Sequence, residues 1–260
     1  MTKILAVTNQ KGGVGKTTTT VNLAASLAAV QQRVLLIDLD PQGNATMGSG
    51  IDKRDLQASV YDVLLGGKTI AEARIRSEAG KYDLLPANRE LAGAEVELVG
   101  LTHRETRLRD ALQVVAAEYD YVLIDCPPAL NLLTLNGLCA ARSVMIPMQC
   151  EYYALEGLSD LVNTIRKVRV NLNPELEIEG LLRTMFDPRN TLAQQVSDQL
   201  QEHFGHKVYR TVIPRNVRLA EAPSFGVPVL YHDKLSKGTQ AYLALAGELL
   251  NNAAQLAATA

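Results

Sequence analysis

Residues 10–18 read Gln-Lys-Gly-Gly-Val-Gly-Lys-Thr-Thr, and lysine, hydroxyl and glycine at that spacing are the parts of a phosphate site. Gly12, Gly13 and Gly15 are expected to open backbone angles closed to other residues, so that amides along the loop, Val14 included, converge on phosphate oxygens. Lys16 is placed to neutralise β- and γ-phosphate charge, the Thr17 hydroxyl to ligate Mg²⁺, and Thr18 to continue the phosphate contact into a helix. The strict pattern G-x-x-x-x-G-K-[ST] is not met, because its first glycine falls at Gln10. Lys11 adds a second ammonium where an ordinary phosphate loop has none.

Such a loop needs a strand before it and a helix after it. Ile4–Val7 is a short apolar run of strand character, and Thr17–Ala29 repeats apolar side chains at helical spacing. The helix then points its positive end at the loop. Two further segments end in acids: Arg33–Leu39 runs into Asp38-Leu-Asp40-Pro-Gln, and Tyr121–Ile124 runs into Asp125-Cys-Pro-Pro. Ligands of open parallel sheets bind beyond the carboxyl ends of the strands, so these acids face the same space as the glycines. A single acid at a strand end usually caps a turn; three converging segments describe a site.

The strand-like runs Ile4–Val7, Val34–Ile37, Leu84–Leu85, Val122–Ile124, Val144–Pro147 and Ile178–Met185 alternate with amphipathic stretches. That alternation predicts an α/β fold, a mainly parallel twisted sheet with helices on both faces. Leu108, Leu112 and Val115 mark the buried face of a helix expected from about Thr102 to Ala117, and Leu155, Leu158, Leu161, Val162 and Ile165 that of another. The stretch from Gly43 to Ala79 is the least regular, a loop with short helices. With 260 residues, 47% of them hydrophobic, and no Pro/Gly/Ser linker, residues 1–260 are expected to form a single domain.

No apolar run is long enough to span a bilayer, and Met1-Thr-Lys leads directly into the first strand without a secretory signal. Cys126, Cys139 and Cys150 are odd in number and form no C-x-x-C pair, which argues against a structural zinc or disulfide and suits a reducing cytoplasm. The net charge of −2 excludes a globally basic nucleic-acid binder. Residues 181–240 nevertheless carry eight Lys or Arg against five acids, a local surplus of three.

The segment Lys11–Thr17 resembles the K-G-G-x-G-K-[ST] signature of the deviant Walker-A ATPases, the ParA/MinD superfamily of P-loop NTPases. Within it the chain is most similar to the short ParA/Soj partitioning ATPases. The resemblance is carried by Gln10–Thr18, Leu36–Asn44, Ile124–Pro128, Thr184–Asp187 and Ile213–Ser224. It implies ATP and Mg²⁺ as cofactors and a homodimer bridged by ATP, in which Lys11 reaches the phosphates bound by the partner. It further implies Asp125 as the Walker-B aspartate holding Mg²⁺, Asp40 as the switch-I residue acting on the attacking water, and Asp38 as its support. Pro214, Asn216 and, more weakly, Met185 would contact adenine and ribose.

Non-specific double-stranded DNA is the second implied ligand, with Arg189 and Arg218 matching contact positions and Arg215 beside them. The implied partner is a ParB-type centromere-binding protein that stimulates hydrolysis, at a cytoplasmic, nucleoid-associated location. A strand beginning at residue 3 leaves no room for the N-terminal helix-turn-helix of some plasmid relatives. The alternative is a MinD-like ATPase of the division site, which acts on the membrane through a basic amphipathic C-terminal helix. The stretch Leu249–Ala260 has no Lys or Arg, so no membrane partner is expected.

Overall fold

The computed structural model describes residues 2–259, with side chains described as far as residue 254. Part of the C-terminal stretch read above for its lack of cations therefore lies outside the described side chains. Eight strands form one sheet: β1 (Lys3–Val7), β2 (Val34–Asp38), β3 (Ile75–Ser77), β4 (Tyr82–Leu85), β5 (Tyr121–Asp125), β6 (Ser143–Gln149), β7 (Glu177–Phe186) and β8 (Val208–Pro214). The first half of the chain supplies helices α1 (Lys16–Ala29), α2 (Asn44–Gly48), α3 (Val60–Leu65), α4 (Ile70–Ala73), α5 (Leu91–Leu98) and α6 (Arg107–Val115). The second half supplies α7 (Leu132–Ala140), α8 (Ala154–Asn171), α9 (Thr191–Phe204), α10 (Val217–Glu221), α11 (Val229–His232) and α12 (Lys237–Thr259).

The strand order is β3-β4-β2-β5-β1-β6-β7-β8, with β3 antiparallel to β4 and the other pairings parallel. Alternate residues of each central strand enter opposite cores. Leu35, Ile37, Val122 and Ile124 pack with α3 and α5–α9, whereas Leu36, Leu123 and Met145 pack with α1 and α12. Both faces are thus covered, and the strands are apolar on both sides because parallel strands have no solvent face.

Register fixes the site. Val7, Asp38 and Asp125 are paired across three adjacent strands, so the glycine loop and two acids leave the sheet at one level. Pro147 lies inside a central strand, a position that ordinarily forfeits a ladder hydrogen bond. Here β1 pairs with β6 only as far as Val7 and Met145, and the Asn9 side chain donates to the Pro147 carbonyl at 2.8 Å. The sheet opens at that point, and the chain turns away into the glycine loop.

One expectation needs correction, and two strands are additions. The helix expected from Thr102 begins at Arg107, because His103 takes a φ of 54° and turns residues 102–106 into a non-helical loop. Strand β8 is an addition: the alternation in Val-Tyr-Arg-Thr-Val-Ile-Pro is masked by its polar members at a sheet edge. Its neighbour α12 protects that edge, for Glu248 accepts the N–H groups of Arg210 and Thr211 at 2.7 and 2.9 Å. Strand β3, the opposite edge, is three residues long, too short to show a period.

Candidate functional site

The loop after β1 turns twice through left-handed backbone, at Gly13 (φ 74°) and Gly15 (φ 85°). Gly12 has no positive φ, so two of the three glycines use the backbone freedom that the residue type permits. Nothing lies within 4 Å of a Cβ built at Gly12 or Gly13, which leaves the loop's outer face open to a ligand. Its inner face is fixed: Lys11 N–H donates to Asn9 Oδ1 at 3.0 Å, and Thr184 Oγ1 donates to the Val14 carbonyl at 2.8 Å. Val14 is buried, and Thr18 follows Thr17 in the first turn of α1, its carbonyl accepting from Asn22.

Lys16 folds back over this loop, its Nζ donating to the Lys11 carbonyl at 3.1 Å. Only 7% of the residue is exposed, and burial pulls the ammonium below its ordinary range while the Asp125 charge opposes that pull. Its charge is held by a neutral carbonyl rather than by a carboxylate. A phosphate oxygen at the same place would satisfy it better.

Asp125 is fully buried between two hydroxyls. Thr17 Oγ1 donates to one carboxylate oxygen at 2.7 Å and Thr20 Oγ1 to the other at 3.0 Å. Burial pushes this carboxyl up, and the Asp38 charge across the β2–β5 register pushes it further. Asp38 is also fully buried and raised by burial, although it accepts from Thr46 N–H and Oγ1, both at 2.8 Å, and from Asp40 N–H at 3.1 Å. Two buried acids with a threonine hydroxyl make a hard-oxygen set, and a divalent cation would relieve the burial that raises them. The donors present therefore fit Mg²⁺, and the open glycine loop with its buried ammonium fits a triphosphate.

Asp40 lies less deep, on the turn that follows β2, where its carboxylate accepts Gln42 N–H at 2.9 Å and its carbonyl accepts Gly43 N–H. The Asp38–Asp40 bond makes one side chain the anchor of the other's loop. Lys11 points elsewhere than the loop centre: its Nζ meets Glu151 Oε2 at 2.5 Å, with both side chains about half exposed. The acidic-strand-end rule that singles out Asp38 and Asp125 also applies to Glu151, two residues beyond β6, and sequence reasoning missed it. Thr20 and Thr184 were missed as well, each being an ordinary helix or strand residue until the packing is known.

On the other flank, Met185 holds a φ of 48°, unusual for a side chain of its size, and its Sδ accepts from Gln149 Nε2 at 2.7 Å. Pro214 pairs in register with Phe186, and Asn216 caps α10 by accepting Leu219 N–H at 3.3 Å. The structure thus brings Met185, Pro214 and Asn216 to the same end of two adjacent strands. Arg189 forks onto Asp187 through two bonds of 2.9 and 2.7 Å, and Arg218 lies between Glu221 and Asp233 at 2.8 and 3.3 Å. Hydrogen bonds from Arg189 hold the Asp187 carboxyl well below its ordinary range, and the charge of exposed Arg215 adds a smaller push the same way. All three cysteines are free and buried, with their thiols pushed up by burial. Among the described residues, no helix is long and apolar enough to cross a membrane.

Comparison with known proteins places this geometry. Residues 2–178 match the model of a family described as AAA domain. The chain is 55% identical to the sporulation initiation inhibitor protein Soj of Bacillus subtilis over 97% of its own length and 100% of that protein. It is 53% identical to the chromosome partitioning protein ParA of Caulobacter vibrioides, over 96% of this chain and 94% of that one. Among solved structures, one described as cobyrinic acid a,c-diamide synthase from Mycobacterium smegmatis, with bound ATP analog and magnesium, superposes with a TM-score of 0.84. It is 41% identical, covering 96% and 95% of the two chains. The septum site-determining protein MinD of Pyrococcus horikoshii, complexed with Mg-ADP, gives 0.77 at 25% identity, over 96% of each chain. With the phosphate loop, the paired strand-end acids and relatives matched end to end, the chain belongs to the ParA/Soj family of chromosome-partitioning ATPases.

Proposed function

We propose that the chain is a Mg·ATP-dependent partitioning ATPase whose dimer binds DNA non-specifically and is released from it when a ParB-type partner stimulates hydrolysis. The observation that carries this is the Thr17–Asp125 bond at the mouth of the glycine loop, beside a buried Lys16 that holds no carboxylate. When bound, the nucleotide supplies the phosphoanhydride and Mg²⁺ the charge that polarises it. Gly12–Gly15 amides and Lys16 would hold the phosphates, Thr17 and Asp125 would hold the cation, and Asp38 fixes the loop from which Asp40 would orient a water. Met185, Pro214 and Asn216 flank the base, and Thr18 and Val14 complete the loop. Residues 1–260 act as one ATPase unit, at the nucleoid in the cytoplasm and without a membrane partner.

Lys11 completes the site in trans. Two facing triphosphates repel, and an ammonium lent by each subunit to the other offsets that repulsion. The dimer doubles the patch that includes Arg189, Arg215 and Arg218, so nucleotide controls DNA affinity without any new side chain. Asp40→Ala should hold the ATP form, and size-exclusion light scattering should then show a dimer with ATP and a monomer with ADP. A monomer at saturating Mg·ATP overturns the reading, as does a Lys11→Ala variant that dimerises normally.

A further inference from the structure

At the end of the sheet opposite the glycine loop, α8, the start of β7 and the end of α9 diverge around a cleft of about 340 Å³. Strand β7 runs from this cleft at Glu177 to the nucleotide side at Phe186, so the two sites lie about 30 Å apart. The floor is apolar. Ile165 and Leu176 close it from beneath, while Val162, Ile178 and Phe204 pack on the core yet keep part of their surface in the cleft. Gly205, in left-handed backbone with φ 48°, ends α9 and turns the chain so that Phe204 and Lys207 both border the cleft.

The rim is cationic. Arg166, Arg169 and Lys207 line it, and among the described residues none of them forms an ion pair; Arg166 has only a 3.4 Å bond to Asn163. Several other surface arginines are matched to acids, as at Arg33–Asp120, Arg54–Asp52 and Arg189–Asp187. One acid, Glu177, shares the rim, which leaves a surplus of two positive charges around exposed apolar surface.

We propose that this cleft is a docking site for a short acidic segment of a partner protein. One or two apolar side chains of the segment would cover Val162, Ile178 and Phe204, and its carboxylates would meet Arg166, Arg169 and Lys207. The volume falls at the lower end of the range for built pockets and suits a few side chains. A discrete segment fits better than an extended anionic surface, because exposed Glu156 and Asp160 on the same helix and a net charge of −2 repel the latter. The cleft shares no residue with the nucleotide site, so the inference stands apart from the proposed ATPase cycle.

The test uses the full chain and a fluorescein-labelled synthetic peptide in which glutamate and leucine alternate, followed by fluorescence anisotropy. Saturable binding is expected, weakened by salt, and about tenfold weaker when serine replaces leucine in the peptide. Arg166→Glu combined with Arg169→Glu, both at exposed positions, should reduce affinity by about tenfold or more, and Phe204→Ser should reduce it with every charge retained. No saturable binding, equal binding of a lysine–leucine peptide, or an unchanged affinity in the arginine double variant overturns the proposal. So does sedimentation with phosphatidylglycerol vesicles that needs the same arginines and is not competed by the acidic peptide, since the cleft is then a membrane contact.

Discussion

Glu151 sets how freely Lys11 can leave its own subunit. The pair is short, at 2.5 Å, but half exposed, and exposed pairs contribute at most about 1 kcal/mol after screening and side-chain entropy. Glu151→Gln removes that restraint while keeping the side chain's shape. Two such pairs are released when the dimer forms, one in each subunit, so the nucleotide-bound dimer should become up to about thirtyfold tighter, and the gain should shrink at high salt. Sedimentation equilibrium with ATP in an Asp40→Ala background checks it; an unchanged dimer constant shows that the pair restrains nothing. Lys16 belongs to the same scale with a larger effect. Its buried ammonium sits over the loop with a carbonyl as its only hydrogen-bond partner among the described residues, so Lys16→Ala should abolish binding of a fluorescent ATP analogue without lowering thermal stability. Retained nucleotide affinity would remove the phosphate-loop assignment.

At the scale of elements, the floor of the site depends on how closely α7 approaches β5. A Cβ built at Gly137 would stand 2.9 Å from Cys126 Sγ and 3.1 Å from Leu39 Cδ1, so the helix can lie this near only because that position is glycine. The helix's last carbonyls are satisfied from outside it: Asn173 Nδ2 lies at 2.9, 3.3 and 2.7 Å from the carbonyls of Leu138, Cys139 and Ala141. Asn173→Ala leaves these acceptors buried and should cost about 1–3 kcal/mol, read as a lower denaturation midpoint with nucleotide affinity kept. An unshifted midpoint would mean that water replaces the amide. Such contacts also mark the limit of sequence reading. Lys16, Thr17, Asp38 and Asp125 were legible because motif and strand-end position are local properties. Strands Ile4–Val7 and Val122–Ile124 were legible because full burial leaves an unbroken apolar run. Thr20, Thr184 and Glu151 were hidden, since their partners lie 105, 170 and 140 positions away and only strand order brings them together. The backbone angle at Gly12 was not legible either, because glycine permits a positive φ without requiring one.

For the whole molecule, the decisive quantity is how many arginines are free to meet phosphate, and the proposed DNA face is partly self-neutralised. Arg189 is held by Asp187 in a forked pair, and Arg218 is shared between Glu221 and Asp233. Binding to DNA must exchange these carboxylates for phosphates, which exposed pairs allow cheaply. Asp187→Asn takes away the competing charge at Arg189, leaving that side chain available. Affinity for a random-sequence duplex should rise. If Arg189 then contacts one more phosphate, the slope of log K against log salt should steepen by about 0.9 per subunit, and by about twice that in the ATP-bound dimer. Arg189→Glu should move both affinity and slope the other way while ATP-dependent dimerisation is kept. Fluorescence anisotropy across a salt series, with ATP and with ADP, reads all of these. A slope that ignores both substitutions removes this loop from the DNA face, and an ADP-form slope equal to the ATP-form slope breaks the link between dimerisation and DNA.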